Sequence, residues 1–517
     1  MSDHSKVYAP RLAALSKRPL GSLFRPFGLA DSGWRIGVIL LIAAATFAGR
    51  AAALFSTSID ADEGVYLVMA QQWQHGGLPY VAVWDQHPPG LPALLAVVLG
   101  FVFDPVLAAR LAAAAAVAAT AVLIHRFCQR HAHNGPAGLL AALLYVVCIS
   151  RWAGLSANTE IFNNLCVTFA AYHLVAAARE PQDRRWAFMA ACALGVGLQI
   201  KYVVFPEAVL MCLGYLLASY RRDRDPGRCI ADAALMMLAG CLPTMLVVAY
   251  FWAAGALPAF LQANIDANVT YVGLVPPLRD IIHDSAGGVL PIVGPVLIIG
   301  YAILQEVRWR RRRRQDSFVQ AWLLLWIIAA ALDVCLPMKF FRHYFFALYP
   351  PICLGAALAL DALTAGSRKR FAYGLVVLLA TAVPTWLMGV VRASPWSGED
   401  VPRAIAQAVR QAGAHDGDLY VYRYQPSIYA LARLRPPTPY VMTLELSEFS
   451  ESAHVDGIAE VHRIMQARPR FVVRPEVKLS GRAEAVDEEV ARSLADYRLV
   501  RTFNDGADRS VIKLYER

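Results

Sequence analysis

Apolar residues occur in runs of about 15 to 25 residues along the first three quarters of the chain, with short polar loops between them. A helix of about 20 apolar residues is long enough to cross the hydrocarbon core of a bilayer, because it rises 1.5 Å per residue. The pattern therefore predicts a mainly α, polytopic membrane bundle, with runs at roughly 34–55, 88–103, 105–125, 136–150, 160–178, 186–200, 203–220, 229–254, 286–305, 318–336, 343–363 and 371–391.

The basic loops between these runs predict the orientation, because Lys and Arg are enriched in cytoplasmic loops. Three clusters are expected inside, which places loops 256–285 and 337–343 and the C-terminal part of the chain outside. The clusters are Arg221, Arg222, Arg224 and Arg228; Arg308 with Arg310 to Arg314; and Arg368, Lys369 and Arg370.

The basic N-terminal segment 1–33 is also expected inside, so the number of crossings must be odd, whereas the pattern contains twelve runs. The prediction is therefore about 11–13 crossings, with one run that fails to span or one crossing that is hidden. Run 88–103 is the first candidate to fail, since it is short and begins with Pro88 and Pro89. The split pair 186–220 around Lys201 is the second.

Composition supports a membrane class and argues against several others. The chain of 517 residues is 57% hydrophobic and 17% charged, whereas soluble domains carry about 25% charged residues. Its net charge of +10 comes from clusters between apolar runs, so topology explains it and no nucleic-acid partner is expected. None of the nine cysteines forms a CxxC pair, so neither a zinc site nor a redox site is expected. No small-residue cleavage site follows the first run, which is expected to be an anchor.

Two segments depart from the membrane pattern. After Pro395, helix-like residues 404–409 alternate with strand-like residues 418–423, 470–474 and 510–515, which predicts a small extracytoplasmic α/β domain over 395–517 after a membrane domain over 34–391. In the first outer loop, 56–87, apolar residues recur at helical spacing and predict an amphipathic helix lying in the interface; they are Val65, Val68, Met69 and Trp73.

The most informative polar cluster lies in that first outer loop. Asp60, Asp62 and Glu63 fall within four positions, and Asp85 and His87 follow about 20 residues later. Carboxylates this close must be solvated, protonated or shared with a cation. They are candidates for a general base or for Mg²⁺ or Mn²⁺ ligands, and the alternative is a solvated acidic loop. Glu160 is a further acid, either in the first turn of a capped helix or joined to Asp62.

A cationic group is predicted on the same outer side, where positive charge is disfavoured. Its presence there indicates an anionic partner such as a lipid phosphate; the alternative is snorkelling of long side chains to lipid head groups. Arg50, inside the first run, is a weaker candidate of the same kind. The group comprises Lys201 and Tyr202, and then Lys339, Arg342, His343 and Tyr344.

Together these motifs resemble the signature of GT-C membrane glycosyltransferases, especially the group related to protein O-mannosyltransferases and to the lipid A aminoarabinose transferase. The resemblance covers residues 34–391. It rests on Asp62-Glu63 after the first helix, His87 before two prolines, and the segments 156–160, 197–202 and 339–344 with Pro350. One departure is clear: the aminoarabinose transferases have an acid and a Lys before the two prolines, where this chain has Gln86 and His87.

The resemblance implies inverting transfer of a sugar from a polyprenyl-phosphate donor to a lipid or glycan acceptor of the cell envelope, at the periplasmic side of a bacterial inner membrane. Asp62 would be the catalytic acidic residue of the family, Glu63 would be its partner, and Glu160 would be a third acidic residue that completes the site. Lys201 and the segment 339–344 would contact the donor phosphate, and a divalent cation is an optional cofactor. The alternatives are a protein O-glycosyltransferase of the same fold, a flippase for a lipid-linked glycan, and a membrane scaffold whose tail binds a partner.

Overall fold

The computed structural model describes residues 31–309, 317–364, 367–394, 398–506 and 510–517. Helices dominate residues 31–393, and all are named here in chain order. They are α1 (Asp31–Arg50), α2 (Ala61–Gln74), α3 (Gly90–Leu99), α4 (Pro105–His131), α5 (Gly135–Ile149), α6 (Thr159–Arg179), α7 (Arg185–Leu198), α8 (Phe205–Asp223), α9 (Pro226–Ala253), α10 (Leu257–Leu261), α11 (Ala267–Gly273), α12 (Leu278–Val289), α13 (Val293–Trp309), α14 (Ser317–Cys335), α15 (Tyr349–Thr364) and α16 (Arg368–Ala393).

The predicted membrane bundle is confirmed. Within the described residues, nine helical segments are long and apolar enough to cross a membrane, and three shorter apolar helices are α3, α5 and α7. The expected cluster Arg310 to Arg314 and most of the N-terminal segment 1–33 lie outside the described residues.

Polar contacts between helix ends show which ends lie together. They identify two opposite ends of the bundle, which we call the lower face and the upper face. At the lower face, Asn134 before α5 donates to Asp361 near the end of α15 at 2.8 Å, and Arg184 before α7 bonds Asp232 in α9 at 2.6 Å. At the upper face, Lys201 after α7 contacts Glu160 at the start of α6. The described clusters at the end of α8 and at the start of α9 and α16 therefore share the lower face.

Helix α3 does not pass between these faces. Its first residue, Gly90, donates its N–H to the Gln199 carbonyl at the upper end of α7. Just after it, Asp104 pairs at 2.5 Å with Arg403, which belongs to the C-terminal region. Ten residues rise only about 15 Å, and both ends lie at the upper face.

Eleven passes therefore remain in the described residues: α1, the six helices α4–α9, the broken helix α12–α13, and α14, α15 and α16. This odd number resolves the parity conflict, and the short run 88–103 is the one that fails. The second candidate, the split pair of runs 186–220 around Lys201, consists of two separate passes, α7 and α8.

The C-terminal region is a small α/β unit, as predicted. Its sheet has the order β1-β2-β4-β3, in which β1 pairs in parallel with β2 and the other pairs are antiparallel. The sequence pattern missed β3, whose first five residues are exposed. The elements are α17 (Val401–Gln411), β1 (Leu419–Val421), α18 (Ser427–Ala432), α19 (Gly457–Gln466), β2 (Phe471–Pro475), α20 (Arg482–Ser493), β3 (Arg498–Asp505) and β4 (Ser510–Glu516).

The two faces of this sheet have different partners, because successive strand residues point to opposite sides. Tyr420 and Val472 pack with α19 and α20 in a separate small core. Leu419 and Val473 belong instead to the large core that continues into the membrane bundle. The C-terminal unit is therefore packed firmly onto the upper face.

This packing corrects the interpretation of α2 as a helix lying in the interface. Residues Glu63 to Ala70 are all buried, since the C-terminal unit covers the outer side of the helix. A Cβ built at Gly64 would lie 2.5 Å from the Ser427 nitrogen of α18, and Gln71 donates to the Ala430 carbonyl at 3.2 Å. Helix α2 is thus clamped between the bundle and the C-terminal unit.

Candidate active site

A cavity of about 260 Å³ lies between the upper face of the bundle and the C-terminal unit. Its residues come from the loop around α2, from the loops after α7 and α14, and from a C-terminal stretch that we call the roof segment, residues 442–452. The lining residues are Asp62, Val65, Tyr66, Trp84, Asp85, Gln86, His87, Lys201, Tyr271, Phe341, His343, Tyr344, Met442, Leu444, Glu445, Phe449 and Ser452. Six of the thirteen predicted site residues are among them: Asp62, Asp85, His87, Lys201, His343 and Tyr344.

The start of α2 places Asp62 in the cavity wall. Asp60 caps the helix: its Oδ1 accepts the Asp62 N–H at 3.2 Å. The other oxygen of Asp60 accepts from Ser156 at 2.9 Å and from Asn158 at 3.1 Å. Asp60 is thus occupied in holding α2 against the 153–158 loop, and the neighbouring Asp62 is left to face the cavity.

Burial and the negative charge of Asp60 raise the pKa of Asp62 to about 7, although His87 and Lys201 act in the opposite direction. A carboxyl group with this pKa is divided between its two protonation states near neutral pH. It can accept a proton as a general base and can later release it. The electrostatic setting of Asp62 is therefore compatible with a general base.

Glu63 faces away from the cavity, which corrects its predicted catalytic role. Its side chain is 2% exposed, bonded to Arg110 of α4 at 2.9 Å and to the Ala157 N–H at 2.5 Å. Adjacent residues of a helix point about 100° apart, so only one of the two acids can face the cavity. Glu63 instead ties α2 to α4 and to the loop before α6.

Asp85 and His87 form a pair on the next wall. The Nδ1 atom of His87 lies 2.9 Å from Asp85 Oδ1. Burial opposes protonation of His87, but the bonded carboxylate outweighs it and raises the pKa of His87. Between them in sequence, the Gln86 Oε1 atom is buried without a hydrogen-bond partner among the described residues.

Lys201 provides the positive charge in the cavity wall. Its Nζ lies 2.5 Å from Glu160 Oε1 and 4.0 Å from the centre of the Tyr344 ring. His343 Nε2 is 3.9 Å from the same Glu160 oxygen. Glu160 therefore pairs with Lys201 but does not line the cavity, and it is Lys201 that shares the cavity with Asp62.

A second cavity of about 160 Å³ adjoins the first and shares five of its residues, including Lys201 and Tyr344. Its remaining lining is largely apolar, with Val203, Val272 and Leu336. Tyr202 also lines it and donates to Asn264 at 3.0 Å. Lys201 thus lies where a polar cavity meets an apolar one.

Three predicted phosphate ligands have other partners and do not line the larger cavity. Arg50 is buried and donates to the carbonyls of Gly154 and Ser156. Lys339 donates to the Leu274 carbonyl and lies over the Tyr271 ring. Arg342 is paired with Asp284 in α12 at 2.8 Å. All three contact loops at the upper face, so of the predicted phosphate ligands Lys201, His343 and Tyr344 line the larger cavity and Tyr202 lines the second.

Three of the predicted acids are already engaged by neighbouring side chains. Among the described residues, no three His, Cys, Asp or Glu side chains are grouped to hold a metal ion. The oxygens of Asp60, Asp85 and Glu160 are engaged by Asn158, His87 and Lys201 respectively.

The sequence interpretation missed one acid, Glu445 of the roof segment. It is 6% exposed and lies in a single helical turn, Thr443–Leu446. Burial, with the neighbouring Asp85 and Asp62, raises its pKa well above the usual value. No local pattern around Glu445 marks it, because only the docking of the C-terminal unit brings it to the cavity.

Comparison with known proteins gives one family match and several fold matches. Residues 86–247 match the family of dolichyl-phosphate-mannose-protein mannosyltransferases, and no curated protein sequence matches the chain. ArnT from Cupriavidus metallidurans in the apo state has a TM-score of 0.61 at 14% identity, covering 94% of this chain and 98% of its own. The structure of the same ArnT bound to undecaprenyl phosphate has a TM-score of 0.59 at 15% identity, with the same coverage of both chains.

A weaker likeness is to the oligosaccharyltransferase of Archaeoglobus fulgidus in complex with Zn and sulfate, with a TM-score of 0.48 at 13% identity over 90% of this chain and 72% of that one. The ArnT matches span both the bundle and the C-terminal unit. The resemblance seen in the sequence is thus confirmed: the chain has the fold of the GT-C membrane glycosyltransferases, and its residues 86–247 match the mannosyltransferase family model.

Proposed function

We propose that this protein is a membrane glycosyltransferase that moves a sugar, with inversion, from a polyprenyl-phosphate donor to a lipid or glycan acceptor of the cell envelope. The observation that carries the proposal is the shared cavity, in which the carboxyl group of Asp62 and the ammonium group of Lys201 line one space. Undecaprenyl phosphate bound to ArnT, which has the same fold, supports a carrier of this class.

The donor fits the two adjoining cavities. Its phosphate would lie against Lys201, Tyr344 and His343, where the positive charge stabilises the leaving phosphate as the glycosidic bond breaks. The first isoprene units would follow the apolar second cavity. The sugar would then occupy the larger cavity, next to Asp62.

Asp62 acts as the general base in this proposal. The carboxylate takes the proton of the acceptor hydroxyl, whose oxygen attacks the anomeric carbon from the side opposite the phosphate. The phosphate leaves with the bonding electron pair and stays paired with Lys201. One base is enough for inversion, because a phosphate leaves without an acid. Asp85 bonds His87 close to Asp62 and raises the pKa of His87, which favours its protonated form.

The arrangement of charge supports a periplasmic site in a bacterial inner membrane. The described basic clusters, at the end of α8 and at the start of α9 and α16, lie at the face opposite the cavity. Since such clusters favour the cytoplasmic side, the cavity and the C-terminal unit belong outside.

The test compares envelope glycolipids from cells with the wild-type protein, with Asp62→Asn, and with the matched change Asp496→Asn on the exposed surface of the C-terminal unit. We expect a hexose, pentose or uronic acid increment that is lost with Asp62→Asn and kept with Asp496→Asn. Purified Asp62→Asn protein should still bind undecaprenyl phosphate. Normal turnover of Asp62→Asn, or a glycolipid that is moved across the membrane without a new glycosidic bond, would overturn the proposal.

A further inference from the structure

The roof segment contributes a buried acid for which the catalytic scheme has no use. Glu445 lies at the cavity wall with Asp85 and Asp62, yet its Oε2 atom has no hydrogen-bond partner in the described part of the chain. Buried polar atoms are nearly always paired in native proteins, and leaving one unpaired costs free energy. An unpaired carboxyl oxygen in a cavity wall therefore indicates a ligand.

The position of Glu445 is fixed by contacts on both sides of the cavity. The Trp84 N–H donates to the Pro439 carbonyl at 2.9 Å, and the Trp84 and Tyr440 rings lie 6.0 Å apart. On the other side, the Arg423 N–H donates to Thr443 Oγ1 at 2.7 Å. The turn that carries Glu445 is therefore attached both to the acid loop and to the sheet.

The surroundings of Glu445 match what binds a sugar ring. Burial and two nearby carboxyl groups raise the pKa of Glu445 and favour its protonated form, which can both donate and accept a hydrogen bond. Phe449 of the same segment packs against Tyr271, with ring centres 5.3 Å apart, and both rings line the cavity. Hydroxyl groups need polar partners, and the apolar face of a sugar ring packs on aromatic side chains.

We propose that Glu445 is a specificity residue that binds a hydroxyl group of the sugar carried by the donor. The inference rests on the proposed function, which places the donor phosphate at Lys201 and the sugar in the larger cavity. The roof segment then recognises the sugar and leaves the phosphate and the lipid chain to the bundle. The proposal predicts that a change at Glu445 affects sugar-bearing carriers and leaves the bare carrier unaffected.

The experiment measures binding to the purified full-length protein in nanodiscs by native mass spectrometry. The probes are undecaprenyl phosphate alone and undecaprenyl phosphate bearing mannose, glucose or arabinose. The variants are Glu445→Ala and Glu445→Gln. The matched control is Glu451→Gln, in the same segment but 62% exposed and paired with Arg482.

We expect wild-type protein to prefer at least one sugar-bearing carrier to the bare carrier. Glu445→Ala should reduce that affinity about tenfold, the loss of one buried hydrogen bond, and leave the affinity for undecaprenyl phosphate unchanged. Glu445→Gln should retain most of the preference, because an amide also donates and accepts. Glu451→Gln should behave as wild type.

Three results would overturn the inference. They are an equal loss for the bare and sugar-bearing carriers, no loss for either, and no preference for any of the three sugars in the wild-type protein. Failure of the proposed function has a different signature, which is that wild-type protein binds none of the carriers, with or without a sugar.

Discussion

At the residue scale, Asp62 and Glu63 show how neighbouring acids can have separate tasks. Asp62 faces the cavity, and Glu63 bonds Arg110 in the protein interior. The sequence identified both as acids of one motif but offered no means of separating their roles. The difference arises from the direction in which each side chain leaves α2, and from the position of α4, which only the tertiary packing determines.

The pH dependence of transfer tests the role of Asp62. Since the carboxylate is the active form and its pKa is raised to about 7, kcat/KM should increase as the pH rises through about 7. Asp60→Asn removes a negative neighbour that contributes to this rise, so the increase should move to lower pH. The measurement is initial rate against pH for both proteins. If the pH at which kcat/KM is half-maximal is unchanged in Asp60→Asn, the increase in kcat/KM with pH cannot be assigned to Asp62.

A change at Glu63 should lower the stability of the protein, whereas a change at Asp62 should lower its activity. Glu63→Gln leaves the Arg110 guanidinium buried without its counter-charge, which typically costs about 3–5 kcal/mol. We expect a lower thermal unfolding temperature in detergent, whereas Asp62→Asn should unfold near the wild-type temperature. The double variant Glu63→Gln, Arg110→Met removes both charges and should recover part of the loss. Equal stability of Glu63→Gln and wild type would show that the ion pair is unimportant for folding.

At the element scale, the contact between α2 and α18 connects the bundle to the roof. Most of the helices were predictable from the sequence, because long apolar runs indicate membrane helices without reference to distant parts of the chain. The burial of α2 was not predictable, since it depends on a partner more than 350 residues away, the helix α18 that begins at Ser427. β3 escaped prediction for a related reason: an exposed edge strand has little apolar alternation to detect.

Gly64→Val tests this contact. Gly64 has no room for a Cβ, because Ser427 N would lie 2.5 Å away, so a larger side chain should push the C-terminal unit from α2. We expect faster hydrogen–deuterium exchange over residues 439–452 and a transfer rate at least tenfold lower, with the bundle still folded. Gly37→Val is the matched control, since no atom lies within 4 Å of its added Cβ. Unchanged exchange in Gly64→Val would argue against this clamp.

At the scale of the whole molecule, the number of passes sets which groups share a compartment. Hydropathy alone predicted twelve runs, whereas the orientation of the two ends required an odd number of crossings. The conflict arose because a short apolar helix at the membrane surface has a composition similar to that of a helix that spans the membrane. The contacts of Gly90 and Asp104 separate the two cases. The positions of the basic clusters, in contrast, predicted a consistent orientation from the sequence alone. With eleven passes, every described cluster lies at the lower face.

Labelling with a membrane-impermeant maleimide tests this topology. Phe101→Cys, after α3, should react from the same side of spheroplast membranes as His75→Cys, before it. Arg221→Cys, at the lower face, should react only after the membrane is opened. Labelling is read above the wild-type background, because the chain contains nine cysteines of its own. Reaction of Phe101→Cys together with Arg221→Cys would mean that α3 spans the membrane.

The division of the cavity between distant parts of the chain has an evolutionary consequence. Its floor comes from residues before position 345, and its roof comes from residues 442–452. If Glu445 binds the donor sugar as proposed, substitutions in the tail alter which sugar is bound while the reacting groups stay intact. Related chains could diversify their repertoire by exchanging the terminal quarter, and chimaeras built at the junction after α16 would inherit chemistry from one parent and selectivity from the other.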